Sequence, residues 1–446
     1  MNGQTVSFGK FRCEFNSCVS GFAIALPIVF VLTLLTPHAI EAQTFSVIHY
    51  FSGGGDGAVP IAGVTVGPGG VLYGTAHGGG THGAGVVFKL TYQGSSWTLS
   101  PLYEFTGGSD GAYPYGGVVI GPNGALYGTT YYGGGAQDGV VFELRPPPAV
   151  CKAILCYWNE TVLYNFTGTP DGEGPLDENL AFDRAGNIYG TTWEGGMYGY
   201  GDGTVFELTP SGGGYTESIL HSFGSGTDGA YPVSGVVLDT AGNVYGTTPG
   251  GGTGGAGTVY QLMPSNGGWL ENVLVYFDGT NGAYPYGNLI IDASGNLYGV
   301  ANGGQNGYES VVYKLAPSDG GFTYSELYTF SSLCESTDDG AVSGVAMDAA
   351  GHFFGVCYEG GAHNDGWIFE LANCSQGCSL VDLHDFSGSD GNEPFGSPVL
   401  DANGNLYGTT AAGGTGNCNG NGCGVVWEIA GAGARPFRTE LMGERL

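Results

Sequence analysis

The chain has 446 residues, with 89 glycines, 40 acidic and 10 basic residues, and a formal net charge of −30. Aromatic residues at 13% against charged residues at 11% exclude a disordered chain, because such a sequence can bury enough apolar surface to offset the entropy of ordering. The negative charge excludes nucleic acid and anionic membrane surfaces as partners and leaves proteins, polysaccharides and cations.

Residues 1–42 read as a secretory signal. Lys10 and Arg12 precede an apolar stretch from Val19 to Thr36, and Ile40 and Ala42 suit the −3 and −1 positions before cleavage. An uncleaved anchor is the alternative, since the run approaches spanning length. No later segment is long and apolar enough to cross a bilayer, so no membrane span is expected after cleavage.

Beyond the signal, a motif close to Gly-Asn-Leu-Tyr-Gly-Thr-Thr returns seven times, its aromatic at Tyr73, Tyr127, Tyr189, Tyr245, Tyr298, Phe354 and Tyr407. Short apolar runs separated by glycine-rich turns at such a period mark a repeat architecture. In the fourth copy, Gly235 to Asp239 reads as a strand and Thr240 to Asn243 as a turn. Val244 to Thr248 is a second strand, Pro249 to Gly257 a loop and Thr258 to Leu262 a third strand. Pro264 to Gly268 turns the chain again, and Trp269 to Phe277 is the fourth strand. Four antiparallel strands of this size make one propeller blade.

The runs are apolar rather than alternating, as expected of sheets buried on both faces. A glycine follows every motif aromatic, which fits tight packing between adjacent blades. Seven fourth-strand segments exist, but the first, Phe45 to Phe51, precedes all the others. It can complete the last blade, so the sequence predicts an all-β, seven-bladed propeller closed by its N-terminal strand, with no exposed sheet edge. The chain divides into a signal at 1–42, a propeller at 43–430 and a short polar tail at 431–446, and a monomer is expected.

Cys13 and Cys18 fall in the signal. The other eight cysteines are Cys151, Cys156, Cys334, Cys357, Cys374, Cys378, Cys418 and Cys423. Three close pairs, with Cys334 and Cys357 left over, suit disulfides in an oxidising compartment. Zinc is the competing use, disfavoured by the absence of Cys-x2-Cys doublets.

The repeats, for instance Gly404 to Thr410, followed by a Gly-Gly loop and Gly-Val-Val-Phe-Glu-Leu at Gly139 to Leu144, resemble those of the GloVer tandem-repeat family of exported bacterial proteins. The resemblance runs from about Ser46 to Ile429. It implies export, to the exterior or the cell envelope, and a repeat domain presented outside the cell. It implies no reaction.

In a four-stranded meander the strand 2–3 and strand 4–1 loops share one face. The 4–1 loops read Asp-Gly-Ala-Tyr-Pro or a variant, placing Asp56, Asp110, Asp171, Asp228, Asn281, Asp339 and Asp390 there, with Tyr113, Tyr231 and Tyr284. A ligand is expected on this face, in or around the axial funnel. The aspartates could bind calcium or simply stabilise Asp-Gly turns. Tyr131, Tyr132, Trp193 and Tyr358 could stack on sugars or serve packing. Asp171, Glu173, Asp177 and Glu178, beside Trp193 and Glu194, are the densest break in the repeat. They are the candidates for acid–base cleavage of sugars or lactones. His77 with His82, and His352 with His363, lack a recognised ligand partner. The sequence favours an exported, non-enzymatic binding propeller, with a carbohydrate-active or lactone-cleaving enzyme as the alternative.

Overall fold

A computed structural model describes residues 43–147, 157–176, 179–198, 201–224, 226–303, 309–330, 334 and 342–433. The signal segment, Cys151, Cys156, Asp177, Glu178, Asp339 and the tail from 434 lie outside the described residues.

Seven four-stranded antiparallel sheets form the seven blades of a propeller. The fourth blade consists of Val237–Leu238, Val244–Thr248, Thr258–Ser265 and Gly268–Tyr276. Its innermost strand is shorter than the sequence predicts. One end is drawn to the axis, where the Gly235 N–H donates to Asn288 Oδ1 of the next blade at 2.7 Å. At the other end the Asp239 carboxylate accepts the N–H groups of Ala241 and Asn243 and starts a turn. The outer hairpin is longer than predicted. Gly267 and Gly268 take φ of 105° and 154°, so the reversal needs only Asn266 and Gly267 between the strands.

Closure follows the prediction. Thr44–Tyr50 pairs with Val425–Ala430, which pairs in turn with Leu406–Thr410 and Val399–Leu400. The register runs from Thr44↔Ala430 to Tyr50↔Val425 with a bulge between Val47 and His49. The same bulge occurs between third and fourth strands in the other six blades. The residue left unpaired is Leu102, Leu163, Leu220, Leu274, Leu327 or Leu383, and Ile48 in the closing strand. A bulge bends its strand and redirects a side chain.

Three residues beyond each bulge lies a phenylalanine at most 1% exposed: Phe51, Phe105, Phe166, Phe223, Phe277, Phe330 and Phe386. Each meets the third-strand aromatic of the following blade, as Phe105 meets Phe142 at 5.2 Å and Phe51 meets Phe88 across the closure at 5.3 Å. The motif glycine makes this possible from within the blade. A Cβ on Gly74 would lie 2.5 Å from Phe88, and one on Gly408 would lie 2.3 Å from Trp427, the cross-strand partner in each case. The glycine thus serves inter-blade packing indirectly, by letting its cross-strand neighbour lie flat and present the ring to the next blade.

Polar stitches tie the same seams. The first motif threonine reaches the backbone just ahead of the next blade's innermost strand, as in Thr75 Oγ1 to Gly116 O at 2.8 Å and, across the closure, Thr409 Oγ1 to Ala62 O at 2.8 Å. The motif tyrosine is anchored inside its own blade, Tyr189 donating to Glu207 at 2.9 Å and Tyr245 to Asp239 at 3.0 Å.

Candidate functional site

Bridges such as Ala112↔Tyr132 and Ala230↔Gly250 join the 4–1 and 2–3 loops on one face. The five described ring aspartates stand at its rim, because each is held by a side chain of the outermost strand. Asp110 accepts from the Thr106 N–H at 2.8 Å and Tyr103 Oη at 3.0 Å. Asp171 accepts from Thr167 and Tyr164, both at 3.0 Å, and Asp390 from the Ser387 N–H and His384 Nε2. Asp56 bonds Ser52 and His49, and Asp228 bonds Gly224 and His221. In the fourth blade the clamping position is the apolar Val275, and the ring residue is Asn281, whose amide donates to the Tyr276 carbonyl at 3.1 Å. Partner and ring residue change together, so the ring closes turns. Burial would raise the Asp56 and Asp110 carboxyls, but hydrogen bonds from His49 and Ser52, and from Thr106 and Tyr103, outweigh it and hold both below the usual range.

Calcium needs several free oxygens converging on one point. Both carboxylate oxygens of Asp56, Asp110, Asp171 and Asp390, and Oδ2 of Asp228, are engaged in their own turns, and among the described residues no group of three or more His, Cys, Asp or Glu side chains is arranged to hold a metal ion. The donor set among the described ring residues does not fit a calcium ion.

Nearer the axis the innermost strands converge on a neck formed by Gly63, Gly117, Asn179, Gly235, Asn288, Gly344 and Ser397. A Cβ on Gly63 would lie 2.2 Å from the Ser397 carbonyl, and one on Gly235 would lie 2.4 Å from that of Asn179. Only glycine fits so close an approach, and the three positions with side chains are polar. A cavity of about 500 Å3 surrounds the neck, lined in part by Thr65, Asn179, Tyr286, Asn288, Phe395 and Ser397. Sequence reading missed these axial residues. The available signal was the position before the Val, Leu or Pro of each first strand, glycine in four copies and Asn or Ser in three.

Outside the neck, aromatic rings form a continuous arc over blades one to four. His77 lies 4.3 Å from Tyr115, Tyr115 5.3 Å from Tyr131, Tyr131 6.3 Å from Trp193, and Trp193 6.3 Å from Tyr231. Tyr113 and Tyr132 flank it, and Tyr113, Tyr132 and Tyr231 are 38%, 49% and 38% exposed. Tyr113, Tyr231 and Tyr284 have φ of 56°, 59° and 47°, a left-handed conformation that costs about 1 kcal/mol or more in a non-glycine residue. It is held because the N–H of each reaches the preceding blade's 2–3 loop, as Tyr113 reaches Ala84 O at 2.8 Å. Burial pushes His77 down to about 4, so its ring is neutral at ordinary pH. Tyr358 lies on the far side, 6.1 Å from Phe395.

Of the blade-three acids, Glu173 pairs directly opposite Glu194 in a two-stranded ribbon. Burial raises Glu173, and the charges of Asp138 and Glu194 add to this. Asp171 serves its turn, as described. His352 sits on the opposite face, 3.2 Å from Glu370 and 3.4 Å from Asp348, apart from the loop that carries His363. Cys334–Cys357, Cys374–Cys378 and Cys418–Cys423 are disulfide-bonded, which suits an oxidising compartment. Among the described residues no helix is long and apolar enough to cross a membrane.

Fold and loop-built face together define a closed seven-bladed repeat propeller. The model of the Gloeobacter/Verrucomicrobia repeat matches residues 31–160 and 152–369. The chain belongs to that repeat family. No curated protein sequence matches it. Among solved structures, a fungal alcohol oxidase of the AA5 family in complex with copper is similar with a TM-score of 0.53 at 14% identity, over 88% of this chain and 79% of its own. A putative 6-phosphogluconolactonase from Bacteroides uniformis (TM-score 0.45, 14% identity, 73% of this chain and 84% of its own) is also similar. So is a putative oxidoreductase (glucose dehydrogenase) from Thermus thermophilus (0.44, 15%, 87% and 99%). At these identities the likeness concerns the fold alone.

Proposed function

We propose that this protein is an exported, non-catalytic binding propeller whose ligand sits on the face built from the 4–1 and 2–3 loops. The observation that carries the reading is the aromatic arc from His77 to Tyr231, partly exposed on that face. Tyr113 and Tyr231 are held in a left-handed conformation by hydrogen bonds from their N–H groups to the preceding blade's loop, so these amphipathic rings are pre-organised and little side-chain entropy is lost on contact. Export draws support from the N-terminal pattern and from the disulfides. The test is a panel of glycans, peptides and proteins probed with wild type and with Tyr132→Ala and Trp193→Ala. The reading expects at least one ligand whose binding falls in both variants, and a panel with none refutes it.

A carbohydrate- or lactone-cleaving activity is the second reading, favoured by the raised carboxyl of Glu173 beside Asp138 and Glu194. Hydrolysis of a sugar or lactone that vanishes in Glu173→Gln would displace the first reading.

A further inference from the structure

We propose that the aromatic arc is a docking surface for an extended, arginine- or lysine-bearing segment of a partner protein. The inference rests on the binding reading above and names its ligand. Charge complementarity points to this occupant. None of the fourteen 4–1 and 2–3 loops contains a lysine or arginine. The described basic side chains are spent elsewhere: Arg145 pairs with Glu143, Lys314 lies over the Tyr298 ring, Arg184 is in a 1–2 turn, and Lys89 stands opposite Tyr73.

Carboxylates accompany the rings. Glu194 follows Trp193 directly and acts electrostatically on Tyr131 and Tyr231, and Asp202, whose backbone carbonyl accepts the Tyr231 N–H at 2.7 Å, adds its own charge there. Glu194 and Glu173 face each other with no cationic neighbour among the described residues, an arrangement that like-charge repulsion disfavours. An incoming cation relieves it. Aromatic faces attract guanidinium and ammonium groups within about 6 Å, most strongly over tryptophan. The rings follow one another at 5.3 to 6.3 Å across Tyr115, Tyr131, Trp193 and Tyr231. That track is longer than one ammonium group and suits several residues of extended chain at about 3.3 Å each.

The experiment titrates the purified protein with a labelled nona-arginine peptide and, separately, with a neutral β-glucan hexasaccharide. The variants are Trp193→Ala, the isosteric Glu194→Gln, and Asp319→Asn in an exposed 3–4 turn on the opposite face. The expected result is peptide binding that weakens at least tenfold in Trp193→Ala and severalfold in Glu194→Gln, and is unchanged in Asp319→Asn. Unperturbed melting of Glu194→Gln separates loss of binding from loss of fold. Binding indifferent to Trp193→Ala and Glu194→Gln would be diffuse attraction to an acidic protein and overturns the proposal. Trp193-dependent binding of the hexasaccharide alone overturns it too, but leaves the binding reading standing. If neither probe binds, the inference fails, and the binding reading falls only if the wider panel is also blank.

Discussion

Three consecutive inter-blade clefts each hold two carboxylates, Asp110 with Glu160, Asp171 with Glu217, and Asp228 with Glu271. In each glutamate one carboxylate oxygen is buried without a hydrogen-bond partner. Burial, and then the charge of the neighbouring aspartate, pushes all three glutamates up from 4.5 to about 7. Tyr103 and Tyr164 also face the first two clefts, and His221 the third. A carboxyl that holds its proton more tightly when folded favours the native state while protonated. Its contribution is therefore complete below about 4.5 and is lost as pH rises through about 7. At about 1.4 kcal/mol per pKa unit the full shift would amount to roughly 3 kcal/mol per site. The side chains are only half-buried, and solvent screening reduces this to about 1 kcal/mol each. The clefts are separate, so the effects should add. Replacing all three by glutamine keeps the shape and removes the charge. The triple variant should match wild type in urea unfolding at about pH 3.5, below the unfolded-state value, and exceed it by about 3 kcal/mol at pH 8. A gap of the same size at both pH values, or a wild type that gains on the variant as pH rises, would refute the reasoning.

Removing calcium with a chelator should leave the melting temperature unchanged, because both carboxylate oxygens of Asp56, Asp110, Asp171 and Asp390 are taken by their own turns; a fall of several degrees in a thermal scan would contradict this. Gly408→Ala places a methyl 2.3 Å from Trp427 and should cost about 1–3 kcal/mol in urea unfolding, partly recovered in Gly408→Ala with Trp427→Leu. Deleting residues 43–51 bares the edge of Val425–Ala430 and empties the Phe51 site against Phe88. The truncated chain should elute as oligomers or aggregate, and a monomer with wild-type melting would count against the closure.

How legible each layer was depends on the range of the interactions that set it. Blade number, strand order and closure could be read from residue order because they are local patterns repeated seven times. Each blade needs an apolar run, a turn and a glycine at fixed offsets. The disulfides Cys374–Cys378 and Cys418–Cys423 were legible for the same reason. The bulge was missed although its sequence trace is plain, a Leu or Ile three positions before each buried Phe. A one-residue insertion in a strand shows only once its partner is paired.

The candidate site was only half legible. Sequence placed the aspartates and tyrosines of the 4–1 loops on one face with the 2–3 loops, since alternate loops of a meander must share it, and the bridges between these loops agree. It could not tell rim from axis. The carboxylates turn outward because Tyr103, Tyr164, His49, His221 and His384 on the outermost strands bond them. The neck of Asn179, Asn288 and Ser397, and the arc joining His77 to Tyr231, bring together residues from different blades. Their proximity arises only when the ring is shut, so no local pattern along the chain encodes it. The repeat by itself determined the scaffold, and closure decided which of its side chains meet.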